Sequence, residues 1–347
     1  MTGGFRNILV SKLRRLGDVL LTVPVVTGLK RALPEARVSL LVNPGAEDLV
    51  RFHPDVSAVL TVPRGTGPFR QLGFLRRLRQ GKFDLVLELS EGDRGAFLAW
   101  VSGAGTRVGY RPRPDKKWGR RNFYTHVVDA DVKALHTVEY HLAMVRALGL
   151  DPGVQPLSLY WPPVADEKVR GLLAAEGLAD QGSFALLHPA SYNLFKTWRP
   201  DGAARVIDHL ACNHGLPVVL TGSGDLVERI LIRDITARTR VPFLDLSGRL
   251  TLAELAALIA RARLFIGVDS LPMHMAAAVG TPVLALFGPS RDRVWGPWGR
   301  GHRVYFKDWD CRPCDRAGCD DKGVSRCLAE MTPGEVLAVV DEILGRP

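Results

Sequence analysis

Residues 251–290, TLAELAALIARARLFIGVDSLPMHMAAAVGTPVLALFGPS, carry the reading that decides the fold. Thr251 with Glu254 three positions later is a capping box, so a helix starts there. Leu264-Phe265-Ile266-Gly267-Val268 is a continuous apolar run of strand length. A polar turn, Asp269-Ser270, follows it, and a second helix opens near Pro272 with the small residues Ala276, Ala277 and Ala278 that let it lie close to a sheet. Val283-Leu284-Ala285-Leu286-Phe287 is the next strand. Short apolar runs separated by helices indicate parallel strands buried on both faces. The segment therefore predicts a doubly wound α/β sheet.

The same rhythm extends in both directions. In the first half, strands are expected at Asn7–Ser11, Val38–Val42, Ala58–Val62 and Asp84–Leu89, with a helix over 18–32 whose apolar side holds Leu20, Leu21, Val25 and Leu29. In the second half, strands are expected at Phe184–His188 and Pro217–Thr221, with a helix from Pro200 to Cys212 between them. Val283–Phe287 is expected to be the last strand, and a second capping box, Thr332 with Glu335, opens a terminal helix. Residues 151–163, DPGVQPLSLYWPP, hold four prolines and interrupt the pattern. The expected domains are 1–155 and 164–330, with 331–347 as the terminal helix. Two facing α/β halves predict a ligand cleft between them at the carboxyl ends of both sheets.

The composition is ordinary for a globular chain: 46% of the 347 residues are hydrophobic and 24% charged. No apolar run approaches the roughly 18 residues of a membrane-spanning helix. Met1 to Asn7 lead directly into a strand pattern without the apolar stretch of a secretory signal, so the chain reads as cytosolic. The net charge of +10 is one-sided. Residues 1–150 hold 24 Lys and Arg against 13 Asp and Glu, a balance of +11, whereas 151–347 hold 22 against 23, a balance of −1. An anionic partner on the first half fits this split, whether nucleic acid, an acidic membrane surface or a phosphorylated glycolipid. A solvated basic face fits it as well.

Candidate chemistry gathers at the strand ends. In Arg14-Arg15-Leu16-Gly17-Asp18, Asp18 is either an N-cap or a general base that reaches a ligand from the mouth of the first strand. Composition leaves both open. In Asp269-Ser270-Leu271-Pro272-Met273-His274, the N–H groups of a helix start and the Ser270 hydroxyl suit an anion such as a diphosphate, and His274 adds a donor. A capped helix with a satisfied histidine is the alternative. Ser191 and Lys196 follow the strand ending at His188, and Lys196 suits phosphate as a mobile point charge. Thr221-Gly222-Ser223-Gly224-Asp225 is another glycine-containing strand end, but the third glycine of a dinucleotide fingerprint falls on Val227. Three such ends in the second half are a stronger signal than any one. Nucleic-acid binding leaves them unaccounted for.

The segments LGDVLLTVP, HPAS with KTW, GSGD and the 251–290 stretch together resemble the ADP-heptose lipopolysaccharide heptosyltransferases, glycosyltransferase family nine, most nearly the heptosyltransferase III branch. The resemblance runs from the first strand to the final helix. It departs at Leu271, where the family more often has glycine. It implies a GT-B architecture of two facing Rossmann-like domains, with the acceptor on the first and ADP-heptose on the second. It also implies an inverting transfer that needs no catalytic cofactor. On that pattern Asp18 is the base, while Ser191, Lys196, Gly222, Asp225, Asp269, Ser270, Pro272, Met273 and His274 surround the donor, with Asp225 or Glu228 toward the ribose. The acceptor is then an inner-core lipopolysaccharide carrying Kdo carboxylates and phosphates, which arginine forks bind well. Arg64, Arg107, Arg111 and Arg120 are the candidates for that contact, and attraction to anionic inner-membrane lipid accompanies it. Other readings are a transferase using another nucleotide sugar, a nucleotide-sugar epimerase of related fold, or a non-catalytic binder. An epimerase has no need of a basic acceptor surface.

Five cysteines complete the inventory. Cys212, alone in a helical pattern, is expected to be a small buried hydrophobe. Cys311, Cys314, Cys319 and Cys327 lie within 17 residues of each other. In a reducing compartment such a cluster suggests a structural zinc or iron site more than disulfides, with four free thiols as the alternative.

Overall fold

The computed structural model describes residues 4–63, 65, 68–111, 120–178, 182–319 and 323–345. The chain divides into two compact units, residues 1–160 and 161–347. The division falls inside the proline-rich stretch, and Pro333–Leu344 is the terminal helix of the second unit.

Unit 1 is built on a six-stranded parallel sheet. Its strands are β1 (Asn7–Lys12), β2 (Arg37–Val42), β3 (Ala58–Thr61), β4 (Leu85–Glu88), β5 (Thr106–Tyr110) and β6 (His126–Val128), in the order β3-β2-β1-β4-β5-β6. Ile8, Leu9, Val10, Val38, Leu40 and Leu41 are fully buried, which explains why the central strands read as unbroken apolar runs with no alternation. Unit 2 repeats the plan with β7 (Ala185–His188), β8 (Val218–Leu220), β9 (Leu244–Asp245), β10 (Leu264–Val268), β11 (Val283–Leu286) and β12 (Arg303–Tyr305). Its order is β12-β11-β10-β7-β8-β9, again all parallel. Counted from each unit's own first strand, the two orders are the same. The direction of winding reverses between β1 and β4 in one sheet and between β7 and β10 in the other, and such reversal points open a crevice at the carboxyl ends of the strands.

Three expectations need correction. The helix expected over 18–32 is two helices, Leu16–Leu20 and Val23–Ala32. Pro24 lacks the N–H that a continuous helix would use, and the Thr22 hydroxyl turns back to Val19 O at 2.7 Å. Val283–Leu286 is not the last strand, since β12 follows and pairs with it. Cys212 is exposed, on the outer side of the Pro200–His214 helix. Both capping boxes form as read, at Thr251 with Glu254 and at Thr332 with Glu335. The terminal helix Pro333–Leu344 buries Val336 and Val340 against the unit 2 core. His209 and His214 Nε2 both meet Asp341 Oδ1, at 2.6 and 2.7 Å, and tie that helix to Pro200–His214. Among the described residues, no helix is long and apolar enough to cross a membrane.

Candidate active site

In unit 1 the switch point gathers a polar cluster on a buried floor. Asp18 is the third residue of the short Leu16–Leu20 helix, and Arg15 is the N-cap, so the N-cap reading of Asp18 is excluded. Its side chain is 19% exposed, and Oδ1 lies 3.8 Å from Lys12 Nζ. Lys12, the last residue of β1, is buried, and it also donates to Leu89 O at 2.9 Å and sits 3.0 Å from His141 Nε2. Burial lowers Lys12 below the ordinary lysine range, while Asp18, Glu88 and Glu91 act in the opposite direction. Burial also holds His141 well below the ordinary histidine range.

Glu88, at the end of β4, is fully buried and raised by that burial, offset in part by Ser90, Tyr124 and Lys12. Its carboxylate accepts Ser90 N–H at 2.8 Å, Glu91 N–H at 3.2 Å and the Tyr124 hydroxyl at 2.9 Å. A Cβ at Gly95 would fall 2.1 Å from Glu88 Oε1, so glycine is required there. The loops after β1 and β4 are laced together by Leu13 N–H on Ser90 Oγ and Arg14 Nε on Ser90 O, both at 2.7 Å. Glu91 holds φ of 55°, an uncommon backbone for a glutamate. Sequence reasoning missed Lys12, Glu88 and His141.

In unit 2 the crevice between β7 and β10 collects most of the expected donor residues. Ser191 Oγ donates to Asp269 O at 3.2 Å, and Lys196 Nζ lies 2.5 Å from Asp269 Oδ2. The Lys196 and Asp269 side chains are 20% and 8% exposed, so this charge pair is shielded from bulk water. Ser270 is the N-cap of Leu271–Ala278, but its hydroxyl donates to Val268 O at 3.2 Å and no side chain caps that helix. Pro272 stands at the second helical position, where its missing N–H is harmless, and Met273 and His274 are buried behind it. His188, closing β7, meets Thr221 Oγ1 at 3.0 Å, and burial lowers its pKa to about 4.

Gly222 and Asp225 follow β8, the strand beside β7. Asp225 is a helix cap: Oδ1 accepts the Val227 and Glu228 N–H groups at 3.0 Å each, and Oδ2 accepts the Ser223 hydroxyl. Glu228 is the buried one of the pair, and its Oε2 accepts Ser223 N–H at 2.6 Å. A Cβ at Gly222 would stand 3.3 Å from that oxygen.

The expected acceptor arginines are not one group. Arg107 donates through Nε to Phe123 O at 2.7 Å and also bonds Ala104 O, which makes it a brace within unit 1. Arg111 is exposed and pairs with Asp129 at 2.7 Å. Arg64 lies outside the described residues, as does the side chain of Arg120. Of the cysteines, Cys311 is exposed, Cys314 and Cys319 are partly buried and Cys327 is buried. Burial pushes the Cys327 thiol up to about 11, with Cys314 and Cys319 near enough to act on it. No three of these sulfurs lie within 4.8 Å of one another, whereas among the described residues the ligand atoms of His209, His214 and Asp341 do. Four thiolates around one zinc at about 2.3 Å stand closer together than that, so the cysteines as they lie do not form a ligand cage.

Two Rossmann-like sheets, each with its polar residues at the switch point, define the GT-B class of fold. A glycosyltransferase family 9 protein of Veillonella parvula DSM 2008 matches with a TM-score of 0.85 and 22% identity, covering 99% of this chain and 98% of that one. The E. coli ADP-heptose lipopolysaccharide heptosyltransferase II matches with a TM-score of 0.77 and 21% identity, over 97% and 98% of the two chains. In sequence, lipopolysaccharide heptosyltransferase 3 of Escherichia coli is 29% identical over 336 residues, 94% of this chain and 96% of that protein. The profile of glycosyltransferase family 9 (heptosyltransferase) matches residues 72–325. The chain belongs to that family and is a glycosyltransferase.

Proposed function

We propose that this transferase moves heptose from ADP-heptose onto the inner core of lipopolysaccharide, in an inverting, single-displacement reaction. The observation that carries the reading is the convergence of Ser191, Lys196 and Asp269 beside an uncapped helix start in the β7–β10 crevice. Lys196, the Ser191 hydroxyl and the first N–H groups of Leu271–Ala278 then meet the diphosphate, where charge grows as the bond to the sugar breaks. Asp18 takes the proton of the acceptor hydroxyl as its oxygen forms the new bond to the anomeric carbon, and ADP leaves with the electron pair. Asp225 serves as a cap in this scheme, and the buried Glu228 is the better candidate for the ribose.

The acceptor is read as an anionic glycolipid on the cytoplasmic face of the inner membrane, with the enzyme peripheral to it. Support comes from the +11 balance of residues 1–150 and from exposed aromatic side chains on unit 1. Trp100 is 52% exposed, with the Phe97 and Phe123 rings 6.1 and 6.0 Å away, and Arg76, Arg77, Arg94 and Arg121 are exposed in the same unit. Amphipathic rings and arginines together suit a headgroup region. A structural zinc or iron at Cys311, Cys314, Cys319 and Cys327 stays a proposal of its own, since the sulfurs must draw together to hold one. Metal analysis of the purified protein tests it, with about one ion per chain expected and none in Cys327→Ser.

The test of the reaction is ADP release from ADP-heptose, with and without a heptosylated Kdo-lipid A acceptor. Release that depends on the acceptor and falls about 10²–10⁴-fold in Asp18→Asn, with donor affinity kept, is the expected result. Donor binding without acceptor-dependent release would redirect the assignment to a different acceptor.

A further inference from the structure

Lys12 has a constrained environment that the transfer scheme leaves without a role. Its side chain is 6% exposed, and among the described residues its ammonium meets Leu89 O at 2.9 Å, His141 Nε2 at 3.0 Å and Asp18 Oδ1 at 3.8 Å. His141 in turn places Nδ1 3.3 Å from Leu21 O. A carbonyl only accepts, so the proton of the neutral ring sits on Nδ1, and Nε2 offers its lone pair to Lys12. The other charged groups that act on Lys12 are Glu88, Glu91 and Arg14, and His136 acts on His141. Glu88 is already engaged by Ser90, Glu91 N–H and Tyr124. Asp18 is the one carboxylate within ion-pair distance of Lys12 among the described residues.

We propose that Lys12, fixed by Leu89 O and His141, is a positioning residue for Asp18, holding its carboxylate in one orientation for the attack of the acceptor hydroxyl. The inference rests on the reading of Asp18 as the base. The ammonium draws on the carboxylate across 3.8 Å, and a misplacement of about 1 Å in a catalytic group costs about 10²-fold in rate. His141 keeps the ammonium from turning elsewhere, and it can do so because burial keeps the ring neutral and therefore an acceptor. The proton taken from the acceptor ends on Asp18, and Lys12 itself neither gains nor loses one in the step. A buried lysine that merely closed the end of β1 would matter for stability, and the turnover of the folded enzyme would not depend on a cation at that place.

The experiment is kcat and the KM values for donor and acceptor in acceptor-dependent ADP release, measured on the full chain. Wild type, Lys12→Met, Lys12→Arg and His141→Leu are compared, alongside donor affinity and melting temperature. Lys12→Met should lower kcat by about 10²-fold with donor affinity and both KM values near wild type. Lys12→Arg should recover part of that loss, and His141→Leu should give a smaller fall in kcat. If Lys12→Met does not fold, Lys12→Gln takes its place. A wild-type kcat in the folded variant, or a kcat that falls only in step with melting temperature and is not recovered by Lys12→Arg, would overturn the proposal and leave Lys12 a structural residue. Full activity in Asp18→Asn would instead remove the base assignment on which the proposal stands, and is read separately.

Discussion

His188 is buried at the end of β7, beside Thr221, with a pKa lowered to about 4 by that burial. Its folded value lies below the unfolded value of about 6.5, so the unfolded chain binds the extra proton first. The neutral ring's contribution is complete above about pH 6.5 and is lost as pH falls toward 4, in all about 3 kcal/mol. Melting temperature should therefore drop between pH 7 and 4.5, and His188→Gln, which cannot titrate, should flatten that slope. Lys196 makes the second residue-scale prediction. Lys196→Met removes the cation that faces Asp269 and the proposed diphosphate, and should cost about 10²–10³ in kcat, seen in ADP release, with a lower melting temperature as well because the shielded Asp269 carboxylate loses its partner. Lys196, Ser191 and Asp269 were legible because each lies within a few residues of a strand end, where a parallel sheet puts its ligands. Lys12 and His141 were not, because they are 129 positions apart and nothing local marks either as polar machinery. Asp225 shows the opposite case: its chemistry suits a ribose, and in the structure its carboxylate accepts the N–H groups of Val227 and Glu228 in its own helix.

At the scale of elements, helix ends and strand spacing carry the testable content. Thr251 and Thr332 each accept an N3 backbone N–H while Glu254 and Glu335 reach back to the cap. Thr251→Ala and Thr332→Ala should each cost about 1 kcal/mol, read as lowered midpoints in denaturant titration. Gly267 sits opposite His188 in the β7–β10 pairing, and a Cβ there would stand 2.8 Å from His188 O. Gly267→Ala should force the two strands apart at the crevice that holds Ser191 and Asp269, raising the KM for donor as well as lowering the melting temperature. The eight strands read from sequence each hold at least three apolar residues. β5, β6, β9 and β12 escaped notice because they lie toward the sheet edges, run two to five residues and mix polar side chains into the pattern. The break at Pro24 was missed because amphipathic spacing persists across it, although the backbone hydrogen bonding does not.

For the whole molecule, the charge split makes a prediction about surfaces. Binding to vesicles containing anionic lipid should fall steeply as salt rises, because each lysine or arginine near such a surface contributes about 1 kcal/mol that screening removes. Trp100→Ser with Phe97→Ser should weaken that binding further and abolish any blue shift of tryptophan fluorescence, while release from a soluble acceptor fragment stays near wild type. Neutral vesicles that bind as well as acidic ones would count against the charge-driven part. What the sequence determined by itself is the class of fold, because apolar runs of strand length between amphipathic helices can bury themselves only as parallel sheets covered on both faces. It also determined the strand ends that hold the donor candidates, since a turn and a helix start are local events written in neighbouring residues. The tertiary structure alone decided which side chains meet: Lys12 with His141 and Asp18, Lys196 with Asp269, Asp225 with its own helix. Those partnerships depend on strand order and register, which bring distant segments to a few ångströms' separation, and no local pattern encodes a distance across a sheet.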